Sequence, residues 1–235
     1  MPRMKPLLLL LLFVAVSGAS ALAQLPADPQ SQKLTEIGDT NADTEMAHLD
    51  LMAVALAKNP ESRGYVIAYS DARTPPGSFL MRIYGYRDYL VNTRGIDSNR
   101  FEIVEGGVKD KISTEFWLVP NGAKPPSPDS EFELVPKLPI KFDVVYPECP
   151  PEMTVSLYEL KDGLVFYARA LQKNPNTTAK IVVYPGRRTT LRKAAKMASE
   201  TKRLLVKNQK VSANRILATS RGRRRTCSQI ELWIM

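Results

Sequence analysis

One histidine and two cysteines are all that 235 residues hold of the softer metal ligands, and a structural zinc site takes four such side chains. The chain has no Gly-rich phosphate loop, no paired-carboxylate motif and no nucleophile elbow. His48 has no serine or cysteine motif beside it that would make it a general base, so it reads as an exposed or half-buried helical residue. These gaps argue against an enzyme and against a metal or other cofactor. Long hydrophobic runs are also missing: after residue 23 no stretch approaches the roughly 20 apolar residues needed to span a bilayer.

What is present begins with a leader. Arg3 and Lys5 precede an apolar run from Leu7 to Val16, and the small-residue triplet Ala21-Leu22-Ala23 follows. That order predicts a cleavable signal peptide over 1–23 and export to the periplasm or cell envelope of a bacterium. Residues 24–33, polar and proline-containing, are expected to form a disordered lead-in. Cys149 and Cys227, an even pair in an oxidising compartment, predict a disulfide.

Charge is divided unevenly. Residues 24–127 carry 11 Lys and Arg against 14 Asp and Glu, a net of −3, whereas residues 128–235 carry 20 against 10, a net of +10. The second half therefore suits an anionic polymer, or else simply presents a solvated basic face.

Sliding the sequence on itself reveals two copies of one module. At an offset of 115, Lys58-Asn59-Pro60 falls on Lys173-Asn174-Pro175, Tyr69 on Tyr184, Leu90-Val91 on Leu205-Val206, and Asn99-Arg100 on Asn214-Arg215. One extra residue near Arg221 to Arg225 shifts the offset to 116, where Glu115-Phe116-Trp117 meets Glu231-Leu232-Trp233. The boundaries expected are module 1 at 34–120, a Pro-rich linker at 121–140 and a basic module 2 at 141–235.

Periodicity supplies the elements. Met46, Leu49, Met52 and Leu56 recur at helical spacing until Asn59-Pro60, and Leu160 to Lys173 is the counterpart. Gly64 to Tyr69 and Ala179 to Tyr184 are β-branched and aromatic, as buried strands are. Second helices follow over Phe79 to Thr93 and Leu191 to Asn208, then a strand from Arg100 (Arg215) and a last strand ending at Trp117 (Trp233). Segments near Lys33 to Gly38 and Met153 to Tyr158 are the candidates for one more strand each. The result is an α/β fold of two β-α-β-α-β-β modules, each a mixed sheet with two helices on one face. The matched tryptophans are expected to share a packing role in the last strand.

Tyr65-Val-Ile-Ala-Tyr-Ser-Asp71, then Arg82 on a helix, then Asp88 to Ile96 and Asn99-Arg100-Phe101, resembles the OmpA C-terminal-like domain over roughly residues 43–119. The resemblance implies the same β-α-β-α-β-β order and peptidoglycan binding. It further implies that Asp71 and Arg82 grip the zwitterionic end of diaminopimelate in the peptide stem, a carboxylate accepting from an ammonium and a guanidinium holding a carboxylate. The neighbouring helix start would add N–H groups for an anion. This sequence departs from the family pattern: the 72–81 loop is shorter and contains Pro75-Pro76, and Phe79 stands where a helix-start serine is usual, with Ser78 as a substitute cap. The competing reading is that Asp71 caps a turn and Arg82 is an ordinary helix charge.

Module 2 has no such pair, because Asp71 maps to Gly186 and Arg82 to Met197. In its place stand Arg187, Arg188, Arg192, Lys193 and Lys196, and a second cluster of Arg221, Arg223, Arg224 and Arg225. Aromatics do not interleave these charges as they do where single-stranded nucleic acid is bound. The expected partner is peptidoglycan or another anionic envelope polymer, not nucleic acid. An alternative is a degenerate structural or protein-interaction repeat with a basic second module.

Overall fold

The computed structural model describes residues 29–147, 160–222 and 226–235. In module 1 the chain runs through β1 (Gln32–Ile37), α1 (Ala42–Lys58), β2 (Arg63–Asp71), α2 (Pro76–Asp88), β3 (Phe101–Lys109) and β4 (Ser113–Val119). Module 2 repeats the series with β5 (Ile140–Val145), α3 (Leu160–Lys173), β6 (Ala179–Tyr184), α4 (Leu191–Gln209), β7 (Ile216–Ser220) and β8 (Gln229–Ile234). The two four-stranded sheets have matching orders, β1-β4-β2-β3 and β5-β8-β6-β7. In each, only the pair joined across the second helix is parallel. The α/β class and the doubled β-α-β-α-β-β order are thus as read from the sequence.

Local chemistry accounts for the boundaries. Asn41 opens α1 by accepting from the Thr44 amide, and Thr190 opens α4 by accepting from the Lys193 amide. After α2 a short π-helical turn covers Tyr89–Thr93, and Ile96 N–H closes it on Leu90 O. That closure needs a left-handed residue, which Gly95 supplies at φ +66°.

The first strands correct two boundaries. Gln32 and Lys33 pair in β1, so the lead-in ends before them. Module 2's counterpart of β1 is Ile140–Val145, and the Met153–Tyr158 candidate lies outside the described residues. Three features identify β5. Lys33 lies opposite Trp117 and Lys141 opposite Trp233, and both strands slip register just beyond that lysine. Each lysine also sits over its tryptophan ring, at 5.0 and 5.1 Å. Each indole N–H donates to a glutamate two residues earlier, Glu115 or Glu231, which in turn pairs with the lysine. The paired tryptophans therefore share one packing role. Lys141 follows Lys33 by 108 positions rather than 115, so between equivalent residues the connection from β5 to α3 is seven residues longer than that from β1 to α1, and β5 lies off the repeat.

Residues 121–139 form no helix or named strand, and β5 takes over at Ile140, but the segment is no free linker. Glu131 bridges to Gly106, Phe132 packs at a tilt against Phe79 with 4.8 Å between centroids, and Leu134 is buried. The segment carries the chain onto a shared core, where Leu80 of α2 joins Phe142, Leu164, Tyr167 and the apolar face of α4. A smaller core under α1 gathers Leu49, Met52, Leu56, Val66 and Phe116. His48 packs on Phe116 and meets the Thr35 hydroxyl, a half-buried helical residue as expected. No helix among the described residues is long and apolar enough to cross a membrane.

Candidate functional site

Asp71 ends β2 and is nearly buried. Its carboxylate accepts from the Thr74 hydroxyl at 2.7 Å and the Thr74 amide at 2.8 Å, and from the amide and guanidinium of Arg73. The Thr74 hydroxyl is the chief reason that its pKa lies below the usual carboxylate range. Arg82, on α2, turns the other way. Its guanidinium pairs with Glu45 of α1 at 2.5 Å, and its Nε donates to the Tyr86 hydroxyl. Burial raises Glu45 against the opposing pull of Arg82, and burial pushes Tyr86 up to about 12. Among the described residues no hydrogen bond or ion pair joins Asp71 to Arg82. Asp71 caps the turn at 71–74, and Arg82 bolts α2 to α1.

The start of α2, where the resemblance would seat the ligand's anion, is taken by the chain itself. Asp143 of β5 accepts from the Ser78 hydroxyl at 2.6 Å and from the Val144 amide at 2.8 Å, with only 3% of its surface exposed. A Cβ on Gly77 would lie 2.7 Å from that of Asp143, so only glycine admits this approach. Ser78 is therefore not the helix cap. Pro75 occupies that position with no side-chain bond, and Ser78 is spent on Asp143. Sequence reading missed both Asp143 and Glu45, since neither partner is near it in the chain.

Burial raises the Asp143 pKa, with Ser78 and the Val144 amide opposing. For an acid raised on folding, the native state holds the proton longer than the unfolded chain. Stability therefore falls as pH rises from the ordinary aspartate range to the folded pKa, and stays lowered above it. Asp143→Asn, which keeps the acceptor oxygen, is expected to raise the midpoint of urea unfolding at pH 7, and the gain should shrink below pH ~4. A gain that persists unchanged in acid would show that this carboxylate is not the cause.

In module 2 the corresponding place is built differently. Gly186, the counterpart of Asp71, lies against the β7–β8 connection, and a Cβ there would come within 2.6 Å of Cys227 C and Ser228 N. No aspartate fits. The Gly186 amide donates to Ser228 Oγ, the Arg187 amide to Thr226 O, and the Arg221 amide to Val183 O. The first two bonds join the loop before α4 to the β7–β8 connection, and the third ties Arg221 to β6, so Arg187 and Arg221 share one end of the module. Arg187, Arg188, Arg192, Lys193, Lys196 and Arg221 are all exposed, while Arg223, Arg224 and Arg225 lie outside the described residues. No ion pair to a described carboxylate engages Arg187, Arg188, Arg192 or Arg221. Met197, at the position of Arg82, packs against the core.

The placement of this charge opposes helix stability. Arg192 and Lys193 occupy the first turn of α4, which has no acidic residue, and Lys196 follows in the second. Cations in the first turn meet the positive end of the helix dipole, an unfavourable contact that salt screens. Nearby, Cys227 is buried and carries no free thiol. Cys149, its expected partner, lies outside the described residues.

In comparisons with known proteins, no family model and no curated protein matches the chain.

Proposed function

We propose that this protein is a non-catalytic, exported binder of an anionic cell-envelope polymer, peptidoglycan or another, that it holds through the basic end of module 2. The observation that carries this reading is the convergence of Arg187, Arg188, Arg192 and Arg221 on one exposed end, at the N-terminus of a helix that such charges destabilise. A polyanion there would release counterions with each charge neutralised, so its affinity would be strongly salt-dependent.

The resemblance to the OmpA C-terminal-like domain supports an envelope setting and a divergent pair of such modules. Peptide-stem binding through Asp71 and Arg82 is the weaker form of the proposal, because both groups are engaged within module 1. A bridge between Cys149 and Cys227 would brace the β7–β8 connection, to which Arg221 belongs.

Sedimentation with purified diaminopimelate-type peptidoglycan, and retention on heparin as a generic polyanion, separate the two forms. Arg187→Ala/Arg188→Ala/Arg192→Ala is expected to lower affinity at least about tenfold at low salt, with wild-type binding also lost at high salt. Arg82→Ala is expected to bind as wild type. Salt-resistant binding that Arg82→Ala abolishes would overturn the basic-end reading and restore the peptide-stem site. Absence of binding to either polymer would overturn both.

A further inference from the structure

Module 1 contains a groove that the basic end of module 2 does not touch. It runs between α2 and the edge strand β3, encloses about 410 Å³, and is closed on one side by Phe166 of α3. A cavity of this volume falls within the range of small-molecule sites, about 300–1,000 Å³. Leu80, Ile83 and Phe101 form an apolar floor with almost no exposed surface. Tyr84 and Phe166 make an aromatic wall, their rings edge to face at 6.2 Å.

Two arginines stand at this apolar groove. Arg87 lies over the Phe101 ring, its guanidinium carbon 5.5 Å from the centroid, with no carboxylate partner among the described residues. Among the described residues Arg63 has only Glu102, at 4.0 Å and with both side chains about half exposed. Two cations thus face one carboxylate beside a hydrophobic floor.

The repeat supplies an internal comparison. Module 2 has a concavity of about 510 Å³ at the same place, lined by Ser199, Lys202, Ile216, Leu217 and Ala218. These are the positions of Tyr84, Arg87, Phe101, Glu102 and Ile103 displaced by 115. There the cation at the Arg87 position is consumed, since the Lys202 ammonium donates to Ile216 O at 2.7 Å, and the lining's one guanidinium, Arg203, pairs with Glu200 at 2.6 Å, leaving the ammonium of Lys207. The aromatic wall is absent as well. The cleft between second helix and edge strand belongs to the fold, whereas the aromatic lining and the open guanidinium belong to module 1 alone.

We infer that the module 1 groove binds a small amphipathic anion, an aromatic ring bearing one carboxylate, with the ring between Tyr84, Phe166 and the floor and the carboxylate on Arg87. A guanidinium suits this task because it offers two parallel N–H donors to a carboxylate and stacks on an aromatic face at the same time. Because α3 supplies Phe166, the site exists only while the two modules are docked.

Fluorescence titration of the full mature chain with anilinonaphthalene sulfonate, followed by displacement with phenylpropanoate and with the neutral phenylpropanamide, tests this. The expected result is saturable binding at one site, displaced by the carboxylate at least about tenfold better than by the amide. Arg87→Gln should lose that preference, while Lys202→Gln keeps it. Equal displacement by acid and amide, an unchanged preference in Arg87→Gln, or no saturable binding would each overturn the assignment. Retention of the wild-type urea midpoint in Arg87→Gln separates loss of the site from loss of the fold. The Arg187/Arg188/Arg192 triple variant should bind the probe normally, so failure here and failure of the polymer-binding proposal are distinguishable.

Discussion

Arg215→Ala is expected to lower the unfolding free energy by about 2–4 kcal/mol, among the largest losses from any partly exposed side chain of the chain. The Arg215 guanidinium donates to three carbonyls, Leu171 O, Asn174 O and Thr177 O, at 2.8–2.9 Å. It thereby ties the end of α3 and the following turn to the start of β7. Helix ends leave carbonyls without partners, and a charged donor satisfies them more strongly than a neutral one. Arg100 makes the same set in module 1, to Leu56 O, Asn59 O and Ser62 O at 3.1–3.3 Å. Its longer bonds predict a smaller loss for Arg100→Ala. Lysine should not rescue either position, because one ammonium cannot span three carbonyls with the geometry of a planar fork. Urea unfolding checks this, and a loss below about 0.5 kcal/mol, within the usual range for surface substitutions, would mean that water replaces the clamp.

Leu80→Ala is expected to cost about 2–5 kcal/mol, as for other fully buried leucines. Its wider consequence concerns cooperativity. Leu80 belongs to module 1 by sequence, yet it is 1% exposed in a cluster otherwise made mainly of module 2 residues, beside Phe142 and Leu164. Arg169 and Glu105 pair across the same junction at 3.2 Å, and Asp143 meets Ser78 there. The wild type should therefore unfold in a single transition by fluorescence and circular dichroism alike, and Leu80→Ala should shift that transition whole. Two separated transitions, of which the substitution moves one, would show independent modules joined by a linker.

The two arginine clamps also show why so much of the fold was legible. Arg100 with Leu56 and Asn59, and Arg215 with Leu171 and Asn174, preserve one spacing because each clamp closes a single helix-turn-strand unit. Any shift in that spacing would break it. Helix and strand periods, proline stops and the repeated Trp-Glu pair are likewise local or held in register by the sheet. β5 escaped because a seven-residue insertion moved it off the repeat, and pairing with β8, which places it, is a long-range event.

By itself the sequence determined the module count, the order of elements, the division of charge and the loss of the Asp71 and Arg82 pair from module 2. These follow from composition, periodicity and self-similarity, which act over a few turns of chain. Only the tertiary structure decided which charges are free. It spent Asp71 on Thr74 and Arg73, Arg82 on Glu45, and the start of α2 on Asp143, while bringing Arg187 and Arg221 to one exposed end. A buried charge takes whatever partner the packing places beside it. That partner can lie 65 residues away, as Ser78 and Asp143 do, and no periodicity records it.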